Sequence, residues 1–204
     1  MRGTIEVGGS SLDPEPVSVP LYVTLDLDID APHDAPVIPS RQPSAISGQQ
    51  LVAELSIDQS SDYYCTRSPY QVFDELSSTS LTETQRWDVV ASIWQSNTTP
   101  ESLANGQQLY AQNCAACHGE NGSGDGVFAN DLAAAGESST QTMVGANGMT
   151  MQTPIDFTNP TRMLGASPAL LQGKILRGGM GTGMIGQFTL SAGSGLAIDA
   201  GEYQ

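Results

Sequence analysis

Positive charge is what this 204-residue chain has least of: seven Lys and Arg face 22 Asp and Glu, and Lys174 is the only lysine. A net charge of −15 excludes nucleic acid and anionic membrane surfaces as natural partners. No lysine ring exists to steer the molecule toward an acidic protein. Docking therefore uses a basic partner, apolar contact or permanent assembly, and a solubilising acidic coat is the plainer reading of the same charge. Aromatic residues make up 6% and hydrophobic residues 39%, which points to a modest core. No apolar run reaches the length of a membrane-spanning helix, and the first thirty residues hold no signal-peptide core. Nothing reads as a nucleophile triad, a phosphate loop or a paired-carboxylate site. The glycines around Gly178-Gly179 and Gly181-x-Gly183 lack the preceding strand that a nucleotide loop needs. Thiols and imidazoles are also few: Cys65, Cys114 and Cys117, with His33 and His118.

Three of those five residues stand together, as Cys114-Ala115-Ala116-Cys117-His118. C-x-x-C-H is the spacing of covalent c-type haem attachment. Two thiols separated by a helical turn add across the haem vinyl groups, and the next imidazole comes to lie under the iron. Zinc would need further ligands, and Cys65 and His33 are far upstream. A redox dithiol would want a βαβ setting, which is absent. The sequence thus predicts one haem c, with its iron, per chain. Haem is joined to this motif outside the cytoplasm in bacteria, so the expected location is periplasmic, cell-surface or extracellular. The chain then reads as a processed or partial form, shown without its leader. Cys65 is left over, either as a small buried hydrophobe or as an intermolecular disulfide.

The period of the hydrophobic pattern divides the rest. Val17, Val19, Leu21, Val23, Leu25, Leu27 and Ile29 alternate with polar residues and Pro20, predicting a half-buried strand or hairpin pair. Thr4 to Val7, and Leu51, Ala53, Leu55 and Ile57, add further strand candidates. The prolines from Pro32 to Pro43 mark a loop. The expected fold class is α+β: a sandwich-like antiparallel β module over 1–65, a connecting segment with a Trp-bearing helix over 66–98, a helical haem domain with long loops over 99–190, and a Gly/Ala-rich tail over 191–204. Thr82 and Gln85 fit a capping box, followed by Trp87, Val90, Ala91 and Trp94 on one helical face. Thr99, Pro100 and Glu101 open the next helix, with Leu103, Gly106, Tyr110 and Cys114 inward and Tyr110 a candidate cofactor contact. Ser167 and Pro168 open a third, which ends at Gly178.

The iron needs a sixth ligand or an open site. Met180 and Met184 lie in a glycine-rich loop that can approach the distal face, while Met143, Met149, Met151 and Met163 read as packing residues. His33 would give bis-histidine ligation and a lower potential. His118 should donate its second ring N–H to a fixed acceptor, and the Pro154 carbonyl is the candidate, against an ordinary loop proline.

In combination, Gly106–Gly119, Gly122–Gly126, Pro154–Thr158 and Gly181–Met184 resemble a class I cytochrome c over about residues 99–188. The resemblance implies a small helical fold around one low-spin haem, with His118 and Met184 as axial ligands, and single-electron transfer. Two departures stand out. Ile185 follows Met184 where the family has proline, and nothing after Phe188 looks like the family's closing helix. A segment resembling that helix, Leu81–Val90, lies upstream and reads as a remnant of a cytochrome-like unit without its own C-x-x-C-H. The expectation is that it covers Gly106 and Tyr110 on the Glu101–Asn113 helix, within the chain or across a subunit contact. The leading function is an electron carrier serving redox partner proteins. Two alternatives remain: a subunit relaying electrons between haems in an oligomer or filament assembled through the β module, and a peroxidase-like or gas-reactive haem enzyme with a labile sixth ligand.

Overall fold

A computed structural model of the chain describes residues 2–7, 17–22, 37–131, 154–178 and 184. Strands β1 (Arg2–Val7) and β2 (Val17–Tyr22) pair antiparallel, with Ile5 opposite Val19. Pro20 is tolerated because each strand of a two-stranded ribbon is an edge. Residues 23–30, which carry the rest of the predicted alternation, lie outside the described residues.

The expected β module over 1–65 is not supported, because its second half is helical. Helix α1 (Ala45–Leu55) occupies the stretch read as a strand, and α2 (Ser61–Thr66) follows. Leu51, Ala53, Leu55 and Ile57 fit period two by coincidence. The packing stripe is Gly48 and Val52, one helical turn apart, while Ala53 and Leu55 are exposed. Ser44 caps the start by accepting from Ser47 N, and Ser56 ends the helix at φ 52°.

What fixes α1 as a helix is its crossing with α4 (Glu83–Ser96). A Cβ on Gly48 would stand only 1.9 Å from the Asp88 carbonyl oxygen, so only glycine permits this approach. Asp88 is itself buried, and holds the Pro-rich loop by accepting from Arg41 Nη2 and Ser44 N, each at 2.7 Å. Helix α3 (Pro69–Glu75) completes the unit, with Phe73 stacked on Trp87 at 4.4 Å between centroids. Val52, Val72, Leu76, Val89, Val90 and Ile93 fill the remaining core. The Thr82–Gln85 capping box at the start of α4 forms as the sequence reads.

Helix α5 (Pro100–Asn113) leads into the one-turn α6 (Ala115–His118). Beyond the motif lie α7 (Pro160–Met163) and α8 (Pro168–Arg177), the latter capped by Ser167 as expected. The predicted cover over α5 is overturned within the chain. Helix α4 spends its packing face on α1 and α3, and α5 has no buried residue. Leu103 and Leu109 are exposed, and a Cβ on Gly106 would meet nothing within 4 Å.

A sequence correspondence goes with this difference. Gly48-Gln49-Gln50-Leu51 in α1 repeats Gly106-Gln107-Gln108-Leu109 in α5. Counting from the shared glycine, Ser56, Gln59 and Ser60 occupy the places of Cys114, Cys117 and His118. The upstream helices thus repeat the approach to the haem motif but lack its thiols and imidazole.

Candidate haem-attachment site

The motif sits on a single turn whose carbonyls are all satisfied. Cys114 N donates to Tyr110 O at 2.8 Å and carries the chain from α5 into α6. All four carbonyls of α6 find donors: Ala115 from Gly119 N, Ala116 from Phe128 N, Cys117 from Gly126 N, and His118 from Gly124 N, at 2.8 to 3.2 Å. A four-residue helix has no inner hydrogen-bond ladder to sustain it, so these loop donors hold its shape. The loop can close this tightly because of its glycines. Gly124 adopts φ 78°, and a Cβ on Gly126 would lie 2.4 Å from Ala116 O.

His118 is anchored on one side. Its Nδ1 lies 3.2 Å from the carbonyl oxygen of Ile155, and its ring stacks on Phe157 at 4.5 Å between centroids. A carbonyl only accepts, so Nδ1 carries the proton and Nε2 presents its lone pair to a metal. The acceptor is therefore Ile155 rather than the expected Pro154. Successive carbonyls point apart, and that of Pro154 faces Gly124, where a Cβ would stand 2.6 Å from it. The supporting loop is itself tied down. Phe157 N donates to Gly122 O at 2.7 Å, and Asp156 Oδ1 accepts from Thr158 N and Oγ1 at 2.8 and 2.6 Å. Those two bonds hold the Asp156 carboxyl below its ordinary range.

Cys114 and Cys117 are half-buried and not joined to each other. Burial, with a smaller contribution from Cys117, pushes the Cys114 thiol up. Dithiol oxidoreductases depend on the opposite shift. Tyr110 is half-buried and donates to Gly119 O at 2.7 Å, which makes it a brace between α5 and the loop leaving the motif. Sequence reasoning assigned Tyr110 to the cofactor but missed this brace, and it missed Ile155 and Phe157. Aromatic and aliphatic residues in a loop carry no marker of such roles.

Met184 is half-buried, whereas Met180, His33, Met143, Met149 and Met151 lie outside the described residues. Cys65 is half-buried on α2. Two half-buried thiols one turn apart, an imidazole with one nitrogen anchored and the other available, and a rigid exit loop fit a covalently held haem.

Residues 103–190 match the cytochrome c family model. No curated protein and no solved structure shows a significant match to the chain. These residues form a cytochrome c domain, and the domain carries covalently bound haem c with its iron. Its chemistry is haem-based electron transfer.

Proposed function

We propose that the chain is an extracytoplasmic one-electron carrier in which Cys114 and Cys117 hold the haem, and His118 Nε2 and Met184 are the axial ligands. The observation that carries this reading is the Nδ1 contact of His118 with Ile155 O, at 3.2 Å. It fixes the tautomer and ring direction that an axial ligand needs, independently of the sequence motif. The bound haem supplies the redox couple, one electron at a time. The chain's own residues position it. The capped α6 turn holds both thiols and the imidazole in one frame, Phe157 limits ring rotation by stacking, and Asp156 with Thr158 keeps the Ile155 carbonyl in place.

Half-buried Met184 closes a glycine-rich segment and supports thioether ligation, which raises the potential toward a carrier's range. Held by His118 on one side and Met184 on the other, the haem would supply one-electron exchange with little rearrangement of those side chains. The acidic composition favours basic redox partner proteins. No helix among the described residues is long and apolar enough to cross a membrane.

An optical redox titration of the purified protein tests the assignment. One haem per chain and a methionine–iron charge-transfer band in the oxidised form are expected. Rapid cyanide or CO binding without that band would instead favour a haem enzyme with a labile sixth ligand. A colourless protein would remove the proposal.

A further inference from the structure

Tyr110 touches both ends of the turn that carries the attachment motif. Its carbonyl accepts from Cys114 N at 2.8 Å, where the chain passes from α5 into α6. Its hydroxyl reaches past the motif and donates to Gly119 O at 2.7 Å, where the chain leaves. A phenylalanine would fill the same space, so the hydroxyl is the part with a further role to explain.

The Gly119 carbonyl holds more than the tyrosine. Gly122 N also donates to it, at 3.2 Å, which occupies both of its lone pairs. Gly122 O in turn accepts from Phe157 N at 2.7 Å. Gly122 has φ 77°, and a Cβ there would meet Phe157 Cβ and Cδ2 at 3.4 Å and the Tyr110 hydroxyl at 3.5 Å. Tyr110 and Phe157 therefore close on Gly122 from two sides. Phe157 stacks on the His118 ring, and Ile155, two residues earlier, presents its carbonyl to Nδ1. Gly119 and Gly122 are buried, and Tyr110, Phe157 and His118 are half-buried, so water competes little for these bonds. A continuous path thus runs from the Tyr110 hydroxyl to the His118 ring. Both of the restraints on that ring matter to a bound iron. A firm bond from Nδ1 to Ile155 O makes Nε2 more basic and favours the oxidised state.

We propose that Tyr110 is a positioning residue for His118: its hydroxyl, acting through Gly119, Gly122 and Phe157, sets the plane of the imidazole and keeps Nδ1 bonded to Ile155 O. The proposal rests on His118 as an axial ligand, as stated above, and adds the residue that tunes it. Removing the hydroxyl frees one side of Gly119, lets the contact of Gly122 with Phe157 shift, and loosens His118 while leaving both thiols and the imidazole in the chain.

The test compares parent holoprotein with Tyr110→Phe, Phe157→Leu and the double variant. Tyr63→Phe is the control for a hydroxyl lost elsewhere, since Tyr63 donates to Glu75 Oε2 in the upstream helices. Potentiometric titration and electron paramagnetic resonance of the oxidised protein are the readouts. Tyr110→Phe should raise the reduction potential, because a loosened Nδ1 bond makes His118 a weaker donor to oxidised iron, and should change the spread of g values. Phe157→Leu should do the same. Adding Tyr110→Phe to it should change little more, since both act along one path. Gly122→Ala crowds the middle of that path and is the second probe if Tyr110→Phe yields no folded holoprotein; it should also move both readouts. Tyr63→Phe should move neither. Unchanged potential and g values in Tyr110→Phe, or in Gly122→Ala where that probe is used, would overturn the proposal and leave His118 ligation intact. Shifts that simply add in the double variant would overturn it as well. A parent holoprotein without a histidine-ligated low-spin spectrum would overturn the ligation, and the proposal with it.

Discussion

At the residue scale, His118 and Gly126 are the positions where single atoms decide the outcome. The carbonyl of Ile155 holds the proton on Nδ1, so replacing His118 removes the nitrogen offered to iron while leaving both thiols. His118→Ala is expected to retain covalent haem in reduced yield and to lose the low-spin spectrum, which absorption spectroscopy reads directly. Gly126→Val would drive a side chain into the carbonyls of Ala116 and Cys117. A cost of about 2–3 kcal/mol is expected, of the order seen for strained or overpacked sites, and denaturant unfolding of the holoprotein measures it. Among the methionines, Met184→Ala should abolish the methionine–iron band and lower the potential, whereas Met180→Ala should keep the band. The reverse result would transfer the ligand role to Met180.

At the element scale, three helix starts could be read before the fold was known. Thr82 with Gln85, Thr99 with Pro100, and Ser167 with Pro168 cap their helices as their sequences predict. A cap is a contact between residues three apart, so its information is local. The stretch from Leu51 to Ile57 failed for the complementary reason. A short apolar run satisfies both period two and period 3.6, and only the distant contact of Gly48 with the Asp88 backbone selects the helix. Trp87 shows how much this upstream pairing matters. It is 3% exposed and stacks on Phe73, so Trp87→Ala should cost about 3–5 kcal/mol by thermal or chemical unfolding.

The Asp156–Thr158 turn gives a pH dependence at the same scale. The folded carboxyl is held below its unfolded value, so its stabilisation is present above the ordinary carboxylate range. It is lost as pH falls through the lowered folded value. Acid titration followed by the His118-sensitive haem spectrum should show the change in Asp156 and lose it in Asp156→Asn.

At the scale of the whole molecule, charge governs encounter. With −15 on the chain before the haem propionates are counted, reduction by a basic protein partner should slow steeply as salt rises. Stopped-flow rates across ionic strength check this, and an increase with salt would point to an acidic partner instead. The chain by itself pointed to haem attachment, because two thiols and an imidazole within five consecutive residues carry their geometry in their spacing. It determined the helix caps in the same local way. Only the tertiary structure decided that Ile155 and not Pro154 faces the imidazole, that α1 is a helix, and that α4 pairs with α1 and leaves α5 bare. Each of those outcomes is a contact between residues far apart in sequence. Such a contact depends on which backbones can approach closely enough, and no local pattern encodes that.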